Sequence, residues 1–159
     1  MKILLPVDGT SLSENETRFA LRLVAEGLRA EFVLANVQEP PSFYELLTTQ
    51  DPEAHAEVAL QSGEDMVAPA AAILRAANVP FTTVVTTGDP VRSLLDVIEA
   101  EGVDMVIIGA RPMGVLRSAV DGSTSRRLFQ YASVPVLLVN PHPGEVEGGL
   151  DAEQASTQG

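Results

Sequence analysis

The chain has 159 residues, with 22 acidic against 10 basic side chains, a formal net charge of −12 and no cysteine. That length suits one domain with its own core; the missing cysteines exclude a disulfide framework, a thiol nucleophile and a cysteine-held metal. The acidic balance excludes the basic footprint that a nucleic-acid partner requires, and no apolar run approaches the length of a membrane span.

The N-terminal "KILLPV" is a short apolar run ended by Asp-Gly and reads as a buried strand. Pro6 and Asp8 interrupt it too soon for a signal peptide, so the expectation is a cytoplasmic protein. In "TSLSENETRFALRLVAEGLRA" the apolar positions Phe19, Leu21, Val24 and Leu28 recur at near-helical spacing, with a Ser or Thr to cap the start. "EFVLANV" is a second strand, followed by a proline-rich polar loop that carries Phe43 and Tyr44. An alanine-rich helix is predicted from about Ala54 to Ala77, weakened by Gly63 and Pro69. "VPFTTVVTTG" is the third strand, and Gly-Asp-Pro opens the next helix, with Pro90 suited to its first turn. "VDMVIIGA" is the fourth strand; a helix from about Ser123 to Ala132 and a fifth strand, "VPVLLVN", complete the pattern. The domain is therefore expected over residues 1–140, and the polar, glycine-rich segment 141–159 is expected to be a disordered tail.

Strands that are continuous apolar runs, alternating with helices, argue for a parallel sheet covered on both faces. Open sheets of that kind bind ligands beyond the carboxyl ends of strands, where the strand order reverses. Asp8 follows the first strand and Gly109 ends the fourth, so one crevice contains both if those strands are neighbours.

The segment between the fourth strand and the last helix gathers Gly109, Gly114 and Gly122 with Arg111 and Arg117, and Arg126 and Arg127 follow. Glycines let a backbone approach an anion closely. Gly122-Ser123-Thr124-Ser125 then starts a helix, whose unpaired N–H groups and dipole favour a phosphate. The same features also describe an ordinary surface loop with Ser123 as a helix cap. Asp8 has two readings as well: an acceptor for ribose hydroxyls, or a residue that caps the first helix and shapes the Asp-Gly turn.

Other nucleotide and catalytic patterns are missing. The chain has no G-x-x-x-x-G-K-[ST] and its single lysine is Lys2; no G-x-G-x-x-G follows the first strand, and there is no G-x-S-x-G elbow. His55 and His142 fit no metal or triad spacing and read as surface residues.

With "ILLPVDGTSLSE", "VLANVQEP", "TTGDPVRSLLDVIEAEGVDMVIIGAR" and "ASVPVLLV", the chain resembles the universal stress protein family from Met1 to about Asn140. ATP-binding members of that family carry G-x2-G-x9-G-[ST]; here Gly109, Gly122 and Ser123 keep the spacing, while Pro112 stands at the second glycine. The resemblance implies a Rossmann-like doubly wound five-stranded parallel sheet of order 3-2-1-4-5, with helices on both faces. It implies that Pro6, Asp8 and Val37 line the base and ribose of ATP, ADP or AMP, that Ile108, Gly109 and Arg111 lie at the end of strand four, and that Gly122, Ser123, Thr124 and Ser125 hold the phosphates, with or without Mg²⁺.

It further implies a homodimer joined through the last strand, Val134 to Val139, and a stress-response sensor or regulator rather than a dedicated catalyst. Slow incidental ATP hydrolysis is compatible with that role. Pro112 has no N–H to give a phosphate, and Asp121 sets a negative charge before Gly122. Both favour the alternative, a nucleotide-independent dimeric interaction module. An adenylyl-transferring enzyme of the related nucleotide-binding group is disfavoured, since the chain has neither its glycine-serine loop after strand one nor a His-x-x-His motif.

Overall fold

In the computed structural model, residues 1–40, 52–110 and 124–140 are described. Five strands, β1 (Lys2–Pro6), β2 (Glu31–Gln38), β3 (Phe81–Thr87), β4 (Met105–Gly109) and β5 (Val136–Val139), alternate with four helices among those residues. The helices are α1 (Ser11–Ala25), α2 (Pro52–Ala76), α3 (Pro90–Glu101) and α4 (Thr124–Tyr131). The strands form one parallel sheet in the order β3-β2-β1-β4-β5. Strands one and four are therefore neighbours.

Alternation along the strands divides the core into two layers. Ile3, Leu5 and Val7 of the β1 segment, Phe32 and Leu34 of β2 and Ile107 of β4 face α1 and α2, packing on Ala20, Val67, Ala70, Ala71 and Leu74. Their intervening neighbours Leu4, Val33, Ala35, Val106 and Ile108 face α3 and α4, against Leu94, Val97, Ile98 and Leu128. Burying each such large side chain contributes about 1.5–3 kcal/mol. This is why the central strands β1 and β4 read as unbroken apolar runs: both of their faces are covered.

Local chemistry sets the helix limits. The Asp89 side chain caps α3 by accepting the Arg92 N–H at 2.9 Å, Pro90 occupies the first turn as expected, and Gly102 ends the helix in the left-handed region. Helix α2 runs through both Gly63 and Pro69, because its buried stripe on the sheet outweighs their poor propensity. Gly63 has a packing role as well: a Cβ there would lie 2.3 Å from Val85 Cγ1 and 3.0 Å from Asn36 Oδ1, so α2 approaches β2 and β3 closely at that point.

In α1 the buried positions are Ser13, Glu16, Thr17 and Ala20, while Phe19, Leu21 and Val24 are partly buried. The first half of its inner face is thus polar, which the spacing of the large apolar residues does not reveal. Thr10 stands at the N-cap without a side-chain capping bond, its hydroxyl being turned to Asp8.

The two sheet edges differ. The β3 edge exposes Thr82, Thr83 and Thr87, whereas on β5 Leu137 and Leu138 are 37% and 41% exposed, with Phe129 and Tyr131 of α4 more open still. No described helix is long and apolar enough to cross a membrane. The expected tail, 141–159, lies outside the described residues.

Candidate functional site

The connection after β1 leads to β2 on one side, while β4 lies on the other, so the strand order reverses between β1 and β4. Pairing of β1 with β2 runs to Pro6, opposite Ala35, whereas pairing with β4 stops at Leu4, opposite Val106. Pro6 accounts for the difference. Val7 donates its N–H to Ala35 O on β2 at 2.8 Å, so by alternation the preceding residue is turned toward β4, and proline has no N–H to give there. The β1–β4 pairs end two residues before the β1–β2 pairs, and this switch point is where sheets of this kind place a ligand crevice.

Glu16 of α1 closes the floor of that crevice. Its Oε2 accepts the Gly109 N–H at 2.5 Å, taking a donor that the shortened β1–β4 ladder leaves over. The side chain is 2% exposed, and Oε1 has no hydrogen-bonding partner among the described residues. Burial pushes its carboxyl well above the ordinary glutamate range; the Gly109 N–H works against that rise, and the nearby charge of Asp8 adds to it. Gly109 thus touches Glu16, and Asp8, distant from Gly109 in sequence, is close enough to act on Glu16 through its charge.

Gly109 is pinned from the other side as well. A Cβ at this position would lie 2.5 Å from Leu12 Cγ and within 3.0 Å of both its methyls, so the first turn of α1 sits directly on the end of β4. Asp8 is exposed, and its Oδ1 accepts both the Thr10 N–H at 3.1 Å and the Thr10 hydroxyl at 2.5 Å, around Gly9 at φ +75°. The turn-shaping reading of Asp8 therefore holds in this structure, and it fixes the carboxylate at the β1 side of the crevice.

A polar pair holds the same strand end from behind. Asn36, 3% exposed, donates from Nδ2 to Val7 O at 2.7 Å, and its Oδ1 accepts from Gln38 Nε2 at 2.6 Å. Met66 Sδ lies 3.6 Å from the Asn36 amide nitrogen and 3.4 Å from that of Gln38. An amide is needed here because the Val7 carbonyl has to be satisfied where the chain leaves the sheet.

The remaining candidates fall into three groups. Val37 lies in β2 opposite Thr86 and packs on the α3 side of the sheet. The Ile108 side chain is in the core of that same layer, so only its main chain is available to a ligand. Thr124 and Ser125 are the first described residues of α4, and Ser125 is buried. Arg111, Gly122 and Ser123, together with Pro112 and Asp121, lie outside the described residues. Arg127, a candidate counter-charge, contacts Asp89 Oδ2 at 3.7 Å across the tops of α3 and α4. Both partners are about half exposed, and such a pair contributes about 0–1 kcal/mol.

Sequence reasoning missed Glu16, Asn36 and Leu12. For Glu16 a signal was present: it is four residues before Ala20 and eight before Val24, on the face that packs inward. An open groove of about 610 Å³ lined by Val24, Leu28, Ala77 and Pro80 lies at the far end of the sheet, beside the starts of β2 and β3. Arg29 is the charged residue in its lining, and the chemistry described above is at the opposite end.

Comparison with known proteins agrees with this architecture. Residues 1–140 match the Universal stress protein family. The chain is 25% identical over 142 residues to Universal stress protein Sll1654 of Synechocystis, covering 86% of this chain and 83% of that one. Among solved structures it resembles a universal stress protein in complex with cAMP, with a TM-score of 0.61 and 21% identity over 87% of this chain and 96% of that one. It also resembles a universal stress protein family protein of Arabidopsis thaliana with AMP bound, with a TM-score of 0.65 and 15% identity over 91% and 94%. At those identities the likeness to the solved structures shows the fold. The match across residues 1–140 shows the family: this chain belongs to the universal stress proteins.

Proposed function

We propose that the β1–β4 crevice binds ATP or a related adenine nucleotide, and that the protein acts in the cytoplasm as a stress-response sensor or regulator rather than as a dedicated catalyst. The observation that supports this reading is that β1 and β4 are neighbours at the sheet's switch point, with Asp8 just after the first and Gly109 at the end of the second. Two solved proteins of the same fold, one with cAMP and one with AMP, support the adenine class.

In this reading Pro6, Asp8 and Val37 receive the base and ribose, with Asp8 accepting from ribose hydroxyls. Gly109 lets the backbone come close, and Ile108 serves through its main chain. Arg111 and the segment Gly122-Ser123-Thr124-Ser125 take the phosphates at the start of α4. Among the described residues there is no cluster of three His, Asp or Glu side chains that could hold a metal, so Mg²⁺ would enter on the nucleotide's phosphates rather than in a protein cage. The nucleotide supplies a ligand whose occupancy can be read by a partner; hydrolysis, if it occurs, is incidental. Residues 1–140 form the binding domain, with 141–159 as a tail.

The partly exposed Leu137 and Leu138 on β5, the edge strand of the sheet, support a homodimer joined through the last strand, since an apolar edge of that kind invites pairing. A nucleotide-independent dimeric module is the second reading. It is favoured by Pro112, which has no N–H to give a phosphate, and by the contact of Arg127 with Asp89.

Calorimetric titration of ATP with Mg²⁺ into nucleotide-stripped protein separates the two. The expected result is a micromolar or tighter Kd, equivalent to about −8 kcal/mol, lost in Gly122→Val without loss of thermal stability. No heat up to millimolar ATP would establish the second reading.

A further inference from the structure

Glu16 is the one buried carboxyl among the described residues, and nothing in the nucleotide reading uses it. A carboxyl with one oxygen on a backbone N–H and the other without a partner is an expensive group to place in a core. Its location is specific: it joins α1 to the last residue of β4, under the crevice, with Asp8 as its charged neighbour.

We propose that Glu16 is a proton-linked positioning residue: its carboxyl fixes Gly109 at the mouth of the crevice, and loss of its proton weakens the hold of the crevice on an adenine nucleotide. This rests on the nucleotide reading above. The groups facing Glu16 are few among the described residues. The turn after β1 brings Asp8, β4 brings only the Gly109 N–H, and α2 brings the uncharged Met66 against neighbouring Gly9. On α1 itself the adjoining buried positions are Ser13, Thr17 and Ala20, all uncharged.

With its proton, Glu16 accepts from Gly109 and adds no charge beneath a phosphate-bearing ligand. Without it, a second negative charge joins that of Asp8 on the side where an anionic ligand would bind, and Glu16, being buried, is shielded little by water. Ligand affinity and protonation of Glu16 are then linked, and each favours the other.

The sign of the stability effect follows from the upward direction of the folded pKa. Between the unfolded and folded pKa values the folded chain holds more protons than the unfolded one. Stability is therefore highest below the ordinary glutamate range, falls as pH rises through the folded titration, and levels off above it.

The test uses the full chain as wild type, Glu16→Gln and Glu16→Ala, each titrated with ATP across the mildly acidic to mildly alkaline range. The Gly109 amide is followed by NMR in the same samples. Wild-type Kd should rise about fivefold or more through the Glu16 titration, beyond the rise in Glu16→Gln, which contains only the nucleotide's own ionisation. The Gly109 amide should follow the same titration in wild type and stay fixed in Glu16→Gln. Glu16→Ala should bind more weakly at every pH, with Glu16→Gln restoring affinity.

Parallel Kd profiles in wild type and Glu16→Gln, or a Gly109 amide that titrates equally in both, would overturn the proposal. A Gly109 amide that follows Glu16 in a protein that binds no ATP at any pH would instead overturn the nucleotide reading, and with it the affinity link.

Discussion

Gly109→Ala is expected to lower stability by about 1–3 kcal/mol, as overpacking of a filled site does, and to weaken ATP binding by about tenfold, or 1.4 kcal/mol. The added methyl would meet the Leu12 side chain at 2.5–3.0 Å, in a strand end already tied to Glu16. One of the two, the first turn of α1 or the end of β4, has to move. The cause can be isolated by making room. In a Leu12→Ala background the stability cost of Gly109→Ala should fall by at least half, a coupling that urea denaturation of the four proteins would measure. Additive costs would mean that the glycine is needed for some reason other than contact with Leu12.

Asn36→Ala should cost about 2–4 kcal/mol, combining a buried carbonyl without a donor and a small cavity. Val7 O loses its 2.7 Å partner, and the Gln38 amide loses its 2.6 Å acceptor. Asn36→Asp should be at least as damaging at neutral pH, because it turns an oxygen toward the Val7 carbonyl where a nitrogen is required. Since Val7 immediately precedes Asp8, both variants should also loosen the Asp8–Thr10 turn and reduce ATP affinity. Equal stability of Asn36→Asp and wild type would show that the side-chain amide is not what holds this strand end.

These two sites also show where sequence reasoning stops. The strands were readable because each carries apolar residues on both faces, and the α3 boundaries because Asp89, Pro90 and Gly102 are local signals acting on their own helix. Placement of β1 beside β4 came from a family resemblance; the pairing shown here agrees with it. Asp8 and Gly109 could be named because strand ends are where such sheets place ligands.

Glu16 and Asn36 could not be found that way, since their roles depend on which backbone group each meets across the fold. Glu16 answers an N–H at the end of β4, past the last β1–β4 pair, and Asn36 answers a carbonyl 29 positions away. Such pairings are set by tertiary contact rather than by propensity or period. The large residues Phe19 and Leu21 drew the eye along α1, while its buried face begins with Ser13, Glu16 and Thr17. The broken β1–β4 ladder, its floor carboxyl and the glycine beneath Leu12 together make one end of the sheet unlike the rest.

On the proposed reading this end of the sheet, and no other surface of the domain, is expected to receive an adenine nucleotide. The most direct measurement is an amide NMR map of the isotope-labelled full chain titrated with AMP and then ATP. Shifts should concentrate at Asp8, Gly9, Val37, Gly109, Thr124 and Ser125, with the phosphate-bearing end extending further in ATP than in AMP. Shifts confined to the distant groove at Gly27, Leu28 and Asn78, or none up to millimolar nucleotide, would contradict the account.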